Sequence, residues 1–104
     1  MIKYEFNLSD ACQRIGVYCI HIGNHTYIGS TKRNIWVRIK EHERLLKHNK
    51  HYNKKLQLVY NQIKEVTFSV VEYCNLVDIC AKEQYYINKW NPDLNIIQNV
   101  AYYN

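Results

Sequence analysis

A predicted β-hairpin constrains the fold of this chain more than any other feature. Residues 16–22 alternate between two faces, and residues 25–28 form a second β-rich segment. One face carries Val17, Cys19 and His21, and the other carries Tyr18, Ile20 and Ile22. The intervening Gly23-Asn24 pair is typical of a tight turn between antiparallel strands. This hairpin would place Tyr18 beside Tyr27 on adjacent strands.

The rest of the chain supplies helices and further strands. Residues 67–73 are rich in β-branched and aromatic side chains and predict a strand, and residues 2–6 are consistent with a short edge strand. Apolar side chains recur at helical spacing in residues 35–47, 54–62 and 76–90, and Asn34 is the expected N-cap of the first helix. The pattern predicts one small α/β domain.

The last predicted helix carries a carboxylate within an apolar stripe. Its inward-facing positions are Leu76, Ile79, Cys80, Glu83, Tyr86, Ile87 and Trp90. Burial of an uncompensated carboxylate is costly, so Glu83 needs a cation, a hydrogen-bond network or an open cleft. A buried ion pair, for example with Arg38, is the structural alternative to a functional role.

Charge is distributed unevenly along the chain. Residues 32–64 contain ten lysines and arginines against two glutamates, whereas residues 65–95 contain two against five acidic residues. A basic middle segment favours a polyanionic partner, with nucleic acid first, although a solvated lysine-rich helix face gives the same pattern. The candidate nucleic-acid-binding residues are Lys32, Arg33, His51, Lys54 and Lys55.

Composition excludes several other classes of protein. A length of 104 residues fits a single domain with a modest core. The cysteines are Cys12, Cys19, Cys74 and Cys80, and their spacing matches neither a CxxC pair nor a zinc finger. We therefore expect reduced thiols in a cytoplasmic protein. Without a signal peptide or an apolar run of about 18 residues, no membrane association is expected.

Seven positions in order resemble the GIY-YIG nuclease superfamily. They are Gly16-Val17-Tyr18, Tyr27-Ile28-Gly29-Ser30, Arg38, His42, His51, Glu83 and Asn95. The resemblance covers about residues 15–97 and is closest to the catalytic domains of phage-type homing endonucleases. It implies an α/β (α+β) fold with a small three-stranded antiparallel sheet flanked by about three helices.

The resemblance also implies a chemistry, which is metal-dependent hydrolysis of phosphodiester bonds in DNA. Glu83 would hold a single divalent ion, Mg²⁺ or alternatively Mn²⁺, which suits a metal that prefers few carboxylates and several waters. Arg38 would stabilise charge on the phosphate in the transition state. Tyr18 would activate water, with Tyr27 positioning water or phosphate, but His42 is an alternative proton acceptor and the choice stays open.

Supporting roles in the site follow from the same resemblance. Gly16 and Gly29 would permit close approach of backbone or substrate, and Asn95 would be a buried asparagine that holds the site together. The position of His51 in a lysine-rich loop makes it a candidate for contact with phosphate, and a loop histidine without a role is the alternative. The chain departs from the family pattern in Val17, which replaces isoleucine, and in the position of Arg38, 11 residues after Tyr27. Neither departure alters the predicted chemistry.

Two other readings of the sequence remain open. The first is a catalytically inactive nucleic-acid-binding module with the same fold, and the second is a structural or partner-binding domain. RNA is an alternative substrate, because charge does not separate it from DNA. We expect residues 1–104 to form one endonuclease domain without a separate DNA-recognition domain, as a monomer or dimer, in a bacterial, phage or viral context.

Overall fold

The computed structural model describes residues 1–96 and contains one four-stranded sheet. The strands are β1 (Ile2–Glu5), β2 (Gly16–Ile22), β3 (His25–Thr31) and β4 (Val66–Tyr73), in the order β1-β4-β2-β3. Strand β2 pairs antiparallel with β3 and with β4, and Tyr18 lies opposite Gly29 in the register. The predicted hairpin is therefore confirmed, with Tyr18 and Tyr27 on neighbouring strands.

The sheet has four strands rather than the three that the family resemblance implied. The additional strand, β1, pairs parallel with β4, with Ile2 opposite Val66. Its short alternating segment was consistent with an edge strand, but a parallel partner more than 60 residues away depends on the tertiary fold. The mixed α/β class and the flanking helices agree with the prediction.

Within residues 1–96, four helices flank the sheet, and asparagine caps mark the start of the first three. They are α1 (Leu8–Gln13), α2 (Ile35–Lys47), α3 (Lys54–Ile63) and α4 (Ile79–Trp90), with a 3₁₀ turn (Leu76–Asp78) before α4. The Asn34 side chain accepts a hydrogen bond from the Val37 amide, as predicted for an N-cap, and Asn53 caps α3 in the same way. No helix within residues 1–96 is long and apolar enough to cross a membrane.

The sheet separates two hydrophobic clusters. On the face covered by α2 and α3, Tyr18, Ile20 and Ile22 pack with residues of both helices and with Phe68. On the opposite face, Val17, Cys19 and Ile28 pack against Ile87 of α4. The alternation in β2 thus predicted correctly which side chains share a face.

The stripe predicted for the last helix is only partly buried. Ile79, Glu83 and Ile87 are buried, which confirms the carboxylate between apolar neighbours. Leu76 and Trp90 are exposed, because the first lies in the 3₁₀ turn and the second at the last turn of α4. The extended segment predicted for residues 94–100 lies largely outside the described residues.

Candidate active site

Consecutive residues near the end of strand β3 face opposite sides of the sheet. Tyr27 and Gly29 point toward α2, whereas Ile28 and Ser30 point toward α4, as the two-residue period of a strand requires. A β-carbon at position 29 would lie 2.6 Å from both Cζ and Oη of Tyr18. Only glycine at this position therefore allows the Tyr18 hydroxyl to reach the edge of the sheet beside Ser30.

A row of buried polar groups begins at the Tyr18 hydroxyl. The Tyr18 Oη lies 2.6 Å from Nε2 of His42, and Nδ1 of His42 lies 2.8 Å from Nε2 of His51. The amide of Asn53 donates to Nδ1 of His51 at 3.0 Å. Both imidazole rings are fully buried and lie nearly parallel, with their centroids 5.0 Å apart. The row connects β2 to the N-terminus of α3 across α2.

His51 lies inside this row and not on the lysine-rich surface from which the sequence analysis expected it to contact phosphate. Its backbone amide donates to Oε1 of Gln57 at 3.0 Å, and Gln57 in turn donates to the carbonyl of Leu46. The ring of Tyr52 stacks on His51 with a centroid separation of 4.4 Å. His51 is therefore placed to act through His42.

Burial keeps both histidines neutral. Desolvation lowers the pKa of His42 well below its usual value, and the positive charge of Arg38 lowers it further. Desolvation, followed by the charge of Arg38, also lowers the pKa of His51 to about 4. At neutral pH each ring therefore has one protonated and one unprotonated nitrogen.

Arg38 lies at the rim of the site, held by a carboxylate and a phenol. Its guanidinium donates to Oε1 of Glu41 at 3.0 Å and to the hydroxyl of Tyr52 at 2.6 Å. Arg33 binds the same Glu41 oxygen at 2.5 Å. The side chain of Arg38 is partly buried, so its charge acts on Tyr18 and on the histidines at reduced screening.

The phenol of Tyr18 experiences opposing influences. Burial is the largest influence and raises the pKa of Tyr18 well above its usual value, whereas the charge of Arg38 lowers it in part. The Glu83 carboxylate is also near enough to raise the pKa of this phenol. Tyr18 is thus within electrostatic reach of both predicted charged residues of the site.

Tyr27 lies beside the same row, on the neighbouring strand. Its ring meets that of His42 in an edge-to-face arrangement at 5.8 Å, and its side chain is half-buried. The structure therefore brings together Tyr18, Tyr27, Arg38 and His42, as the sequence analysis expected.

Glu83 approaches the edge of the sheet from the α4 side. It is buried between Ile79 and Ile87, and the hydroxyl of Ser30 donates to its Oε1. One carboxylate with a neighbouring hydroxyl suits Mg²⁺, which keeps most of its waters. Within residues 1–96, no group of three or more His, Cys, Asp or Glu side chains is arranged to bind a metal. The carboxylate of Glu83 and the hydroxyl of Ser30 are oxygen donors, and they fit a hydrated magnesium ion better than zinc.

Gly16 and Asn95 support the two strands that form the site. A β-carbon at Gly16 would lie 2.3 Å from the carbonyl oxygen of Glu72, so glycine lets β2 approach β4 closely. The Asn95 side chain accepts from the Ile28 amide at 2.9 Å and donates to the Ile28 carbonyl at 2.8 Å. This double hydrogen bond continues the pairing on the outer edge of β3, next to Tyr27 and Gly29.

The candidate nucleic-acid-binding cations lie on the surface in two pairs. Lys32 and Arg33 are exposed in the loop between β3 and α2, next to the rim formed by Arg38. Lys54 and Lys55 are exposed at the start of α3, where Lys55 donates to the carbonyl of Asp93. Both pairs can meet a phosphate backbone without burial of charge.

The structure adds four residues to the site that the sequence analysis did not assign to it. They are Ser30, Tyr52, Asn53 and Gln57. Asn53 had a usable signal, because an asparagine directly before a helical segment is a typical N-cap. The contact between Gln57 and the backbone of His51 depends on how α3 packs against the preceding loop, so no local pattern indicates it.

The chain is similar to known nucleases in both sequence and structure. The family model of the GIY-YIG catalytic domain matches residues 14–96. The catalytic domain of homing endonuclease I-TevI is similar in structure, with a TM-score of 0.68 and 26% sequence identity, covering 79% of this chain and 94% of that chain. A mutant of the catalytic domain of the intron endonuclease I-TevI is equally similar, covering 76% and 86%. A search of curated protein sequences found no significant match.

Proposed function

Because this chain belongs to the GIY-YIG family and is an endonuclease, we propose that it hydrolyses phosphodiester bonds in DNA with the help of one divalent metal ion. The observation that carries this proposal is the junction at Gly29 and Ser30. There the Tyr18 hydroxyl reaches the edge of the sheet from one face, and the Glu83 carboxylate reaches it from the other.

Arg38 is the residue we assign to the phosphate. Its partly buried guanidinium can bind two phosphate oxygens at once and stabilise the charge that grows on them in the transition state. The present hydrogen bond to Tyr52 lies at the exposed side of the group, so a phosphate oxygen can replace the phenol. Glu41 would then keep the guanidinium oriented from behind.

Tyr18 is the residue we assign to water activation, as a phenolate. It takes a proton from the attacking water, whose oxygen forms the new bond to phosphorus while the bond to the leaving oxygen breaks. The leaving oxygen then takes a proton from solvent. Arg38 favours the phenolate because its positive charge offsets part of the rise that burial causes in the pKa of Tyr18. His42 has a strongly lowered pKa, which makes it a poor proton acceptor.

Glu83 is the residue we assign to the metal, with Ser30 orienting its carboxylate. A divalent cation bound there would place positive charge near the phosphate and the leaving oxygen. Magnesium is the first candidate and manganese the second, because one hard oxygen ligand suits both.

DNA is the substrate class we propose. The exposed cations at residues 32, 33, 54 and 55 support a phosphate-rich partner. Both similar structures are of the catalytic domain of the homing endonuclease I-TevI, and the action of homing endonucleases on DNA supports DNA over RNA. We expect binding to weaken steeply with salt, because contacts of this kind release counterions.

The experiment that tests the proposed function compares the wild type with Glu83→Gln on supercoiled plasmid DNA. With magnesium, the wild type is expected to nick the plasmid, and the variant to be slower by at least about 100-fold because it lacks the metal-binding carboxylate. Glu65→Gln, which changes an exposed glutamate outside the site, is the matched control.

Two results would contradict the proposal. Cleavage by Glu83→Gln at the wild-type rate would show that the metal is held elsewhere. Salt-sensitive binding of DNA without cleavage in magnesium or manganese would favour the inactive binding module.

A further inference from the structure

The buried row from Asn53 to Tyr18 determines the direction of its own hydrogen bonds. It contains two imidazole rings between a backbone amide and a phenol, at distances of 3.0, 2.8 and 2.6 Å. A neutral imidazole donates through one nitrogen and accepts through the other. Once one end of such a row is known, the position of every proton in it follows.

The amide of Asn53 is that known end, because a backbone N–H can only donate. Nδ1 of His51 must accept this hydrogen bond, so the His51 proton lies on Nε2. That proton is donated to Nδ1 of His42. The proton of His42 consequently lies on its Nε2 and is donated to the oxygen of Tyr18.

The donor at the start of the row is held firmly. The Asn53 side chain accepts from the Leu56 amide at 3.0 Å and donates to the Leu94 carbonyl at 2.8 Å. Gln57, in the first turn of α3, accepts a hydrogen bond from the backbone amide of His51 and holds it in place. The Asn53 amide therefore cannot turn away from His51 without breaking the cap of the helix.

We propose that the Asn53 amide and His51 lock the tautomer of His42, so that His42 donates a hydrogen bond to Tyr18 and does not accept its proton. This inference builds on the water-activating role proposed for Tyr18. His51 is a positioning residue in this arrangement, since it acts on Tyr18 only through His42.

The consequence for Tyr18 is an oxygen that accepts a hydrogen bond close to a positive charge. His42 donates to it, and the nearby guanidinium of Arg38 contributes the positive charge. The phenol proton must then point away from His42, and a water molecule takes it when the phenolate forms. Hydrogen bonds to the charged form favour that form, so the row stabilises the phenolate.

The first test reads the tautomers directly and does not depend on cleavage. In ¹⁵N-histidine-labelled protein at pH 7, two-bond proton–nitrogen correlation spectra are expected to show His42 and His51 both protonated on Nε2. Single His42→Gln and His51→Gln variants assign the signals. A proton on Nδ1 of either ring would overturn the proposal, because the row would then run in the opposite direction.

The second test separates positioning from structural support. Glutamine can replace both hydrogen bonds of His51, whereas leucine can replace neither, so His51→Leu is expected to lower kcat by about 10- to 100-fold with KM nearly unchanged. His51→Gln should recover most of that loss. His48→Gln, which alters an exposed histidine of the same segment, is the matched control.

The outcomes distinguish this inference from the proposed function. Nε2 protonation of both rings in a protein that never cleaves DNA would support the lock and contradict the function. If His51→Leu kept both the His42 tautomer and kcat, the lock would be refuted while the nuclease assignment stood. Should the leucine variant fail to fold, the spectra of the wild type and of His51→Gln still decide the question.

Discussion

The two faces of the sheet carry half of the site each, but they are built differently. On the α2–α3 face, the site is a row of buried polar groups that are hydrogen-bonded to one another from Tyr18 to Asn53. On the α4 face, the neighbours of the site are Val17, Cys19, Ile28 and Ile87, and the buried polar group is the carboxylate of Glu83.

The difference shows how burial is used on each face. A connected polar row can hold its side chains in one geometry, because every member fixes the next. A buried carboxylate next to apolar side chains instead needs polar or charged partners, and Ser30 supplies one of them. One face carries the phenol of Tyr18, the other carries the carboxylate of Glu83, and the two faces meet at Gly29 and Ser30.

The largest effect is expected at the junction itself, in Gly29→Ala. The added methyl group would lie 2.6 Å from the Tyr18 hydroxyl, and Tyr18 is too deeply buried to move away without repacking. We expect cleavage to fall by about 100-fold through misplacement of the phenol. The free energy of unfolding should fall by about 1–3 kcal/mol through overpacking. Nicking rates and urea denaturation measure the two effects.

Gly23→Ala is the control for this variant. Gly23 has φ 59° in the hairpin turn, and its added methyl group would meet only the flexible end of Ile63. This change should cost about 1 kcal/mol of stability through backbone strain while leaving cleavage by the folded protein intact. Equal losses of cleavage in both variants would mean that the junction has no special role.

A smaller effect is expected from acid on the α2–α3 face. Burial and the charge of Arg38 lower the pKa of His51 to about 4, and they also lower the pKa of His42. The unfolded chain therefore binds more protons below pH 6.5, so stability is complete above that pH and falls as the pH decreases toward 4. His51 alone should account for a loss of about 1.5 kcal/mol between pH 6.5 and pH 5.

His51→Gln tests the source of this pH dependence. Glutamine does not titrate, so the variant should lose less stability than the wild type over the same interval in urea denaturation. If His51→Gln lost as much free energy of unfolding as the wild type between pH 6.5 and pH 5, the acid sensitivity would belong to other groups. The α2–α3 face would then not differ from the α4 face in this respect.

The smallest effect is expected on the apolar face, in Cys19→Ser. Burial raises the pKa of the Cys19 thiol to about 12, which indicates a dry environment. A hydroxyl is more costly to bury than a thiol, so we expect a loss of about 1–2 kcal/mol in the free energy of unfolding. Cys12→Ser, at an exposed position, should change stability by less than about 0.5 kcal/mol. Equal stability of the two variants would show that the α4 face tolerates polar atoms.

Much of the fold follows from local patterns. The alternation in residues 16–22 predicted both the hairpin and the division of its side chains between two faces, and the structure confirms both. The parallel pairing of β1 with β4 was not predictable, because its register depends on a contact between distant segments. The exposure of Leu76 and Trp90 differs from the predicted stripe because helix ends project beyond the core.

Some residues of the site were also recognisable from the sequence, whereas others were not. Glu83 was recognisable because a carboxylate interrupts an apolar stripe, and the structure buries it between Ile79 and Ile87. Tyr52 and Gln57 gave no such signal, because neither breaks a local pattern. His51 lay in a polar, lysine-rich stretch that indicated exposure, but the tertiary structure buries it.

The sequence by itself determined the hairpin, the helical periods, the misplaced carboxylate and the order of residues that marks the family. Each of these is a property of neighbours along the chain, where turn chemistry and side-chain period operate. Only the tertiary structure decided that Tyr18, His42, His51 and Asn53 form one row and that Gly29 joins it to Glu83. Proton direction depends on which donor ends the row, and that donor is set by packing between segments far apart in sequence.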